Sequence, residues 1–109
     1  MILNVIAGEQ PIRIDVPEFV ISDAVELFEK MDRDMDQGWQ MSRVWVDKLS
    51  DTQRCQVAAD KLLTAIETDN ENLKIMMAGY ILYKMPNVAN IYIDMDGDMT
   101  ATEVEIHSA

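Results

Sequence analysis

The pattern that most narrows the fold runs from Ile21 to Met35. Ile21, Ala24, Val25, Phe28, Met31 and Met35 recur at steps of three and four residues. That spacing gathers them on one stripe of an α-helix, and a helix with such a stripe buries it against another element. Glu26, Glu29, Lys30, Arg33 and Asp34 fall largely off the stripe. Two starts are open. Asp15 with Glu18 three residues on resembles a capping box, with Pro17 tolerated in the first turn; Ser22-Asp23 offers a later cap. The helix is expected to run to Asp36 or Gln37, where Gly38 is a natural terminator.

Two further helices follow. Ser50 with Gln53 three residues later forms a capping box, and Cys55, Ala58, Ala59, Leu62, Leu63, Ala65 and Ile66 then line an inward face. Small residues on that face let a neighbouring helix approach closely. In the break TDNEN, Thr68 with Glu71, or Asp69 and Asn70, can cap a third helix. Its stripe is Leu73, Met76, Met77, Tyr80 and Ile81, and Pro86 closes it. The short polar corner makes the pair an αα-hairpin. Gly79, in the interior of the third helix, makes sense where another helix or chain passes close by.

Both ends of the chain change period. Ile2 to Ile6 and the alternating Ile12, Ile14, Val16 flank a glycine-containing turn, the pattern of a hairpin. Pro17 ends strand pairing because it has no N–H to donate. Near the other end Ile91 and Ile93 alternate with Tyr92 and Asp94. Asp96-Gly97 is a two-residue hairpin turn, and Met99 to Ile106 is the return strand. The predicted fold is therefore α+β: a three-helix core, one long helix plus an αα-hairpin, with a short β-hairpin at each end, all in a single domain over residues 1–109. The two hairpins can join in one antiparallel sheet. The segment WQMSRVWVDKLSD is too apolar for a solvated linker and too short to assign.

Charge limits the partners. The formal net charge is −11, and the acids are spread evenly: ten acids and five bases in residues 1–50, ten and four in residues 51–109. Such a surface repels phosphate backbones and anionic membranes, so neither nucleic acid nor membrane is an expected partner. It suits basic partners or divalent cations. The one cysteine, Cys55, cannot form an intramolecular disulfide, which fits a reducing cytoplasm. MILNVIAG is apolar but has no basic residue and stops at Gly8, so it does not read as a signal peptide. The expected location is cytoplasmic.

Two aspartate triplets carry the clearest chemistry. Asp32, Asp34 and Asp36, and Asp94, Asp96 and Asp98, place a carboxylate at every second position, as calcium loops do. Counted from Asp32, the glycine falls at loop position seven rather than six, and position twelve, where the bidentate acid belongs, is Arg43. Counted from Asp94, Glu105 fills position twelve, but position six is Met99 and position eight is Ala101. No metal site is assigned; these seven acids are secondary candidates. If the first triplet stays helical, Asp34 points away while Asp32 and Asp36 can still share an ion. The acidic helix end opposes the helix dipole, and that local cost keeps the triplet in view.

Catalytic material is scarce. His107 is the only histidine and lies in a polar tail. Cys55 lies on an apolar stripe, where burial raises a thiol's pKa and silences it. No nucleophile elbow or P-loop is present, and the four glycines never cluster. No catalytic residue and no cofactor is expected. Met31, Met35, Met76 and Met77 lie on inner faces, where methionine fills irregular gaps or lines an adaptable groove. Trp39 and Trp45 bracket Met41 and Arg43 just after the long helix. Tryptophan is both a frequent interface anchor and a frequent plug over a small core, and Arg43 can stack on an indole.

The segments DMDQGWQMSR (Asp34 to Arg43) and RCQVAADKLLTAIE (Arg54 to Glu67), with MAGYIL (Met77 to Leu82) behind them, resemble a group of short uncharacterised bacterial proteins. The resemblance covers the middle half of the chain. It implies a stand-alone cytoplasmic bacterial protein and carries neither an activity nor catalytic residues.

The leading functional expectation is a small acidic cytoplasmic interaction or regulatory protein without catalysis. Its surface would be built from Trp39, Met41, Arg43 and Trp45, and its partners would be a second copy of itself, as a homodimer, and another protein. The alternatives are a calcium- or magnesium-binding module and an enzyme whose site forms only across a dimer.

Overall fold

The computed structural model describes residues 1–107. At the start of the chain, β1 (Ile2–Ala7) and β2 (Gln10–Asp15) form the expected antiparallel hairpin. Its alternation sends Leu3, Val5, Ala7 and Ile14 inward, with Val5 opposite Ile12 and Leu3 opposite Ile14. Near the other end β5 (Val88–Ile93) pairs antiparallel with β6 (Glu103–Ile106). The two hairpins share one sheet of order β2-β1-β5-β6. The sheet is mixed rather than wholly antiparallel, because β1 and β5 run parallel, Asn4 beside Asn90 and Ala7 beside Ile93. A parallel pair needs a long crossover, and here everything between the two hairpins supplies it.

The long helix is present but bent. It divides into α1 (Glu18–Asp23) and α2 (Val25–Asp36) at Ala24, whose φ of −97° and ψ of 7° depart from helical values. The ladder carries on across the bend, Ala24 N to Val20 O and Phe28 N to Ala24 O, both at 3.0 Å. The local sequence explains the bend. Val20, Ile21 and Val25 are β-branched, and Ser22 Oγ donates back to Glu18 O at 3.2 Å, a bond that bends helices. Pro17 occupies the N-cap, so neither Asp15 nor Ser22 serves as the cap that the sequence offered.

The αα-hairpin forms as α3 (Asp51–Glu67) and α4 (Glu71–Lys84). Ser50 and Gln53 make the reciprocal capping box, and Asn70 caps α4 through Leu73 N at 3.1 Å. The expected face of α3 is buried, with Ile66 at its edge. On α4 every residue from Met77 to Leu82 is buried, so this stretch is enclosed on all sides rather than striped, while the helix begins exposed and Leu73 and Met76 are only partly buried. A Cβ on Gly79 would lie 3.2 Å from Phe28 Cζ and 3.6 Å from Val16 Cγ1, so glycine there permits the close approach of α2. Phe28 itself stands edge-on to Tyr80 at 5.8 Å. The helices and the inner face of the sheet enclose one core.

Two segments differ from the sequence reading. Trp39–Met41 (β3) and Val44–Val46 (β4) form a second, two-stranded sheet where the sequence left the segment unassigned. The expected two-residue turn at Asp96-Gly97 is instead part of a long loop, and the return strand shrinks to Glu103–Ile106. The cause is local hydrogen bonding by aspartate. Asp94 Oδ2 accepts from the amides of Asp96 and Asp98 at 3.1 and 2.9 Å, and the Asp98 side chain accepts from Thr100 N at 3.0 Å. These bonds wind Met99–Ala101 into a 3-10 turn that Gln56 holds through Thr102 O at 2.8 Å.

Candidate functional site

The first aspartate triplet is taken apart by its surroundings. Asp32, on the core side of α2, accepts from Tyr80 Oη at 2.6 Å, Lys84 Nζ at 2.7 Å and Arg54 Nη1 at 3.2 Å. Arg54 also donates to Asp36 Oδ1 at 2.6 Å and to the carbonyl of Asp32 at 3.0 Å. Asp34 points elsewhere and pairs with Lys30 at 3.4 Å. Asp32 and Asp36 thus share a cation, and it is the guanidinium of Arg54. The acidic end of α2, unfavourable to its own dipole, is neutralised by bases from α3 and α4. Burial alone would raise the Asp32 carboxyl, but hydrogen bonds from Lys84, Tyr80 and Arg54 and the Lys84 charge outweigh it and hold the pKa below its usual value. The same knot raises Tyr80, first through burial and then through its bond to Asp32. Cys55 lies buried nearby, its thiol pushed up to about 12, chiefly by burial.

The second triplet is bound up in its own loop. Asp98 Oδ1 accepts from Thr100 Oγ1 at 2.6 Å, Ser42 Oγ at 2.8 Å and Thr100 N. The Thr100 hydroxyl, then Ser42 and the Thr100 amide, lower its pKa from the usual carboxylate value. Asp94 is occupied with loop amides, and Glu105 faces Asn90 on the outer surface of the sheet, 2.7 Å away. Among the described residues no three His, Cys, Asp or Glu side chains are gathered closely enough to hold a metal ion.

The Ser42–Asp98 bond ties the β3–β4 ribbon to the β5–β6 loop, and Met99 N donates to Ser42 Oγ at 3.1 Å. Between the two lies a cleft of about 510 Å³. Ser42, Arg43 and Val44 form one wall and Asp96, Asp98 and Thr100 the other. Ser42, at the ribbon's turn, adopts φ 57°, a left-handed conformation that its bond to Asp98 helps to hold.

Strand alternation sorts the four surface candidates. Met41 faces inward and is fully buried. Trp39 is half-buried on the same face, with Lys61 Nζ 5.3 Å from its ring centroid. Trp45, opposite Gln40 in the ladder, lies on the other face and is 55% exposed; Arg43 is also exposed. The Trp45 indole is nonetheless fixed. It covers Gly38 so closely that a Cβ there would lie 2.5 Å from Trp45 Cζ2, and its Nε1 donates to Asp47 Oδ1 at 2.7 Å. Val44, paired with Met41 in the ladder and so on the other face of the ribbon from Trp45, is 58% exposed at the cleft. Val44 and Ser42 were missed as surface residues; the polar Ser42-Arg43 pair between two short apolar runs was the turn signal that could have found them. Arg54 and Lys84, which explain the first triplet, carry no local signal, because each is more than fifteen residues from its partner.

A scan against protein-family models, a search of curated proteins and a search of solved structures find no match to this chain. Among the described residues no helix is long and apolar enough to cross a membrane.

Proposed function

We propose that this chain is a small, non-catalytic interaction or regulatory protein acting in the cytoplasm, with the exposed side of the β3–β4 ribbon as its contact surface. The observation that carries the reading is Trp45: a large aromatic side chain, more than half exposed, yet held by Gly38 beneath it and Asp47 at its nitrogen. An indole already fixed in place loses little freedom on binding, which favours it as an anchor. Arg43 supplies a cation at the ribbon's turn, and the cleft between the ribbon and the β5–β6 loop, lined by Arg43 and the exposed Val44, receives a side chain from the partner. Met41 and Trp39 support this surface from below.

Two occupants suit the surface: a second copy of the chain, forming a homodimer, or another protein. Sedimentation of the wild type and Trp45→Ala across a concentration series, with affinity capture by both, tests the reading. Loss of self-association or of a captured partner in Trp45→Ala, with the circular dichroism spectrum unchanged, supports it. Equal behaviour of the two proteins in both assays overturns it.

A further inference from the structure

A second apolar surface lies on α1, α2 and α4, made by residues distinct from those of the ribbon. Phe19, Val20, Ala24, Leu27 and Met76, with Asp23 among them, line an open groove of about 400 Å³. Phe19 is 67% exposed and Leu27 42%. Val20, Ala24 and Met76 also pack on the core, but core packing does not account for Phe19 and Leu27, whose side chains are turned away from it. Their spacing is that of a ridge: Phe19, Asp23 and Leu27 stand four residues apart along α1 and α2.

Charge identifies what fits. Between Glu18 and Glu29 the chain carries four acids, Glu18, Asp23, Glu26 and Glu29, and no lysine or arginine. Lys30, just beyond, is paired with Asp34. A second copy of this −11 chain would bring like charges together at the rim, including Asp23 against Asp23 in a two-fold contact. A partner with basic residues flanking an apolar strip meets the opposite field. Adaptable Met76 at the floor suits a helix laid lengthwise, with anchors at three- and four-residue steps. We infer that the α1–α2–α4 groove docks a basic amphipathic helix of another protein, its apolar face on Phe19 and Leu27 and its Lys or Arg residues toward Asp23 and Glu26.

The probe is a fluorescein-labelled Leu/Lys amphipathic helical peptide, titrated by anisotropy against the whole chain, alongside an analogue with Glu in place of Lys. The expected result is saturable one-to-one binding of the Lys peptide only, with Phe19→Ser and Leu27→Ser each weakening it by about tenfold or more. Asp23→Lys weakens it as well, and Trp45→Ala leaves it unchanged, which separates this groove from the ribbon. Equal affinity for wild type and Leu27→Ser overturns the inference, because the peptide is then held by net charge alone. So does wild-type self-association that Leu27→Ser abolishes, since the groove is then covered by a second copy. Absence of binding overturns it too. All of these positions except Asp23 are apolar, and Phe19 and Leu27 are exposed, so their serine variants keep the core intact; circular dichroism checks this.

Discussion

Asp32 and Lys84, fifty-two residues apart in the chain, meet at 2.7 Å with only 19% of each side chain exposed. The contact joins the end of α2 to the end of α4, and Arg54 from α3 closes the same knot. A partly buried carboxylate with three donors is costly to remove, because each donor is then left facing its neighbours unpaired. Asp32→Asn should therefore destabilise the protein by about 2–3 kcal/mol, toward the low end for breaking a buried pair because the group is not fully enclosed. A urea titration followed by circular dichroism reads this. Asp34→Asn, at the exposed Lys30 pair, should change stability by less than about 0.5 kcal/mol.

The same carboxylate sets a pH dependence. Its folded pKa is lowered, so its contribution is fully present above the unfolded value of about 4. The contribution is lost as pH falls through the folded pKa. Wild-type stability should drop on acidification from about pH 5 downwards more steeply than that of Asp32→Asn. Urea midpoints measured from neutral to acid pH for both proteins give the comparison; parallel curves would show that other acids govern the loss.

Arg54 also decides what the first triplet can do with a metal. It already occupies the position between Asp32 and Asp36, and Asp34 points away. Calcium or magnesium at roughly millimolar concentration, the weak end of protein calcium sites, should leave tryptophan emission unchanged, although Trp39 lies only three residues from Asp36. In Arg54→Met the two carboxylates lose their shared cation, and a weak response to calcium becomes the expected outcome there alone.

Most of the fold was legible because it is written in local periods and caps. The Ile21–Met35 stripe, the Ser50–Gln53 box and the strand alternation at both ends each act within a few residues. The parallel β1–β5 pairing was not legible, since nothing in either strand encodes a neighbour more than eighty residues away. Asp96-Gly97 misled because Asp94 competes for the loop amides, and a side chain that caps backbone overrides a turn dipeptide. At the candidate site the tryptophans were visible as residues, but their opposite faces follow from a strand pair too short to stand out against its apolar surroundings.

Gly38 and Gly97 separate two costs that glycine can avoid. Both have positive φ, 94° and 86°, so a side chain at either is strained by backbone alone, by about 1–2 kcal/mol. At Gly97 a Cβ meets nothing within 4 Å. At Gly38 it would lie 2.5 Å from Trp45 Cζ2 and 2.9 Å from Cε2, so the indole has to leave its seat. Gly97→Ala should lower stability by the backbone cost only, with tryptophan emission unchanged. Gly38→Ala should cost more, about 2–4 kcal/mol with the displaced ring included, and should shift tryptophan emission to the red as Trp45 loses its cover. If Trp45 anchors a partner, Gly38→Ala also weakens that binding while every residue of the contact surface is still present. Emission spectra and urea midpoints of the two variants, measured side by side, distinguish a fixed indole from a loose one.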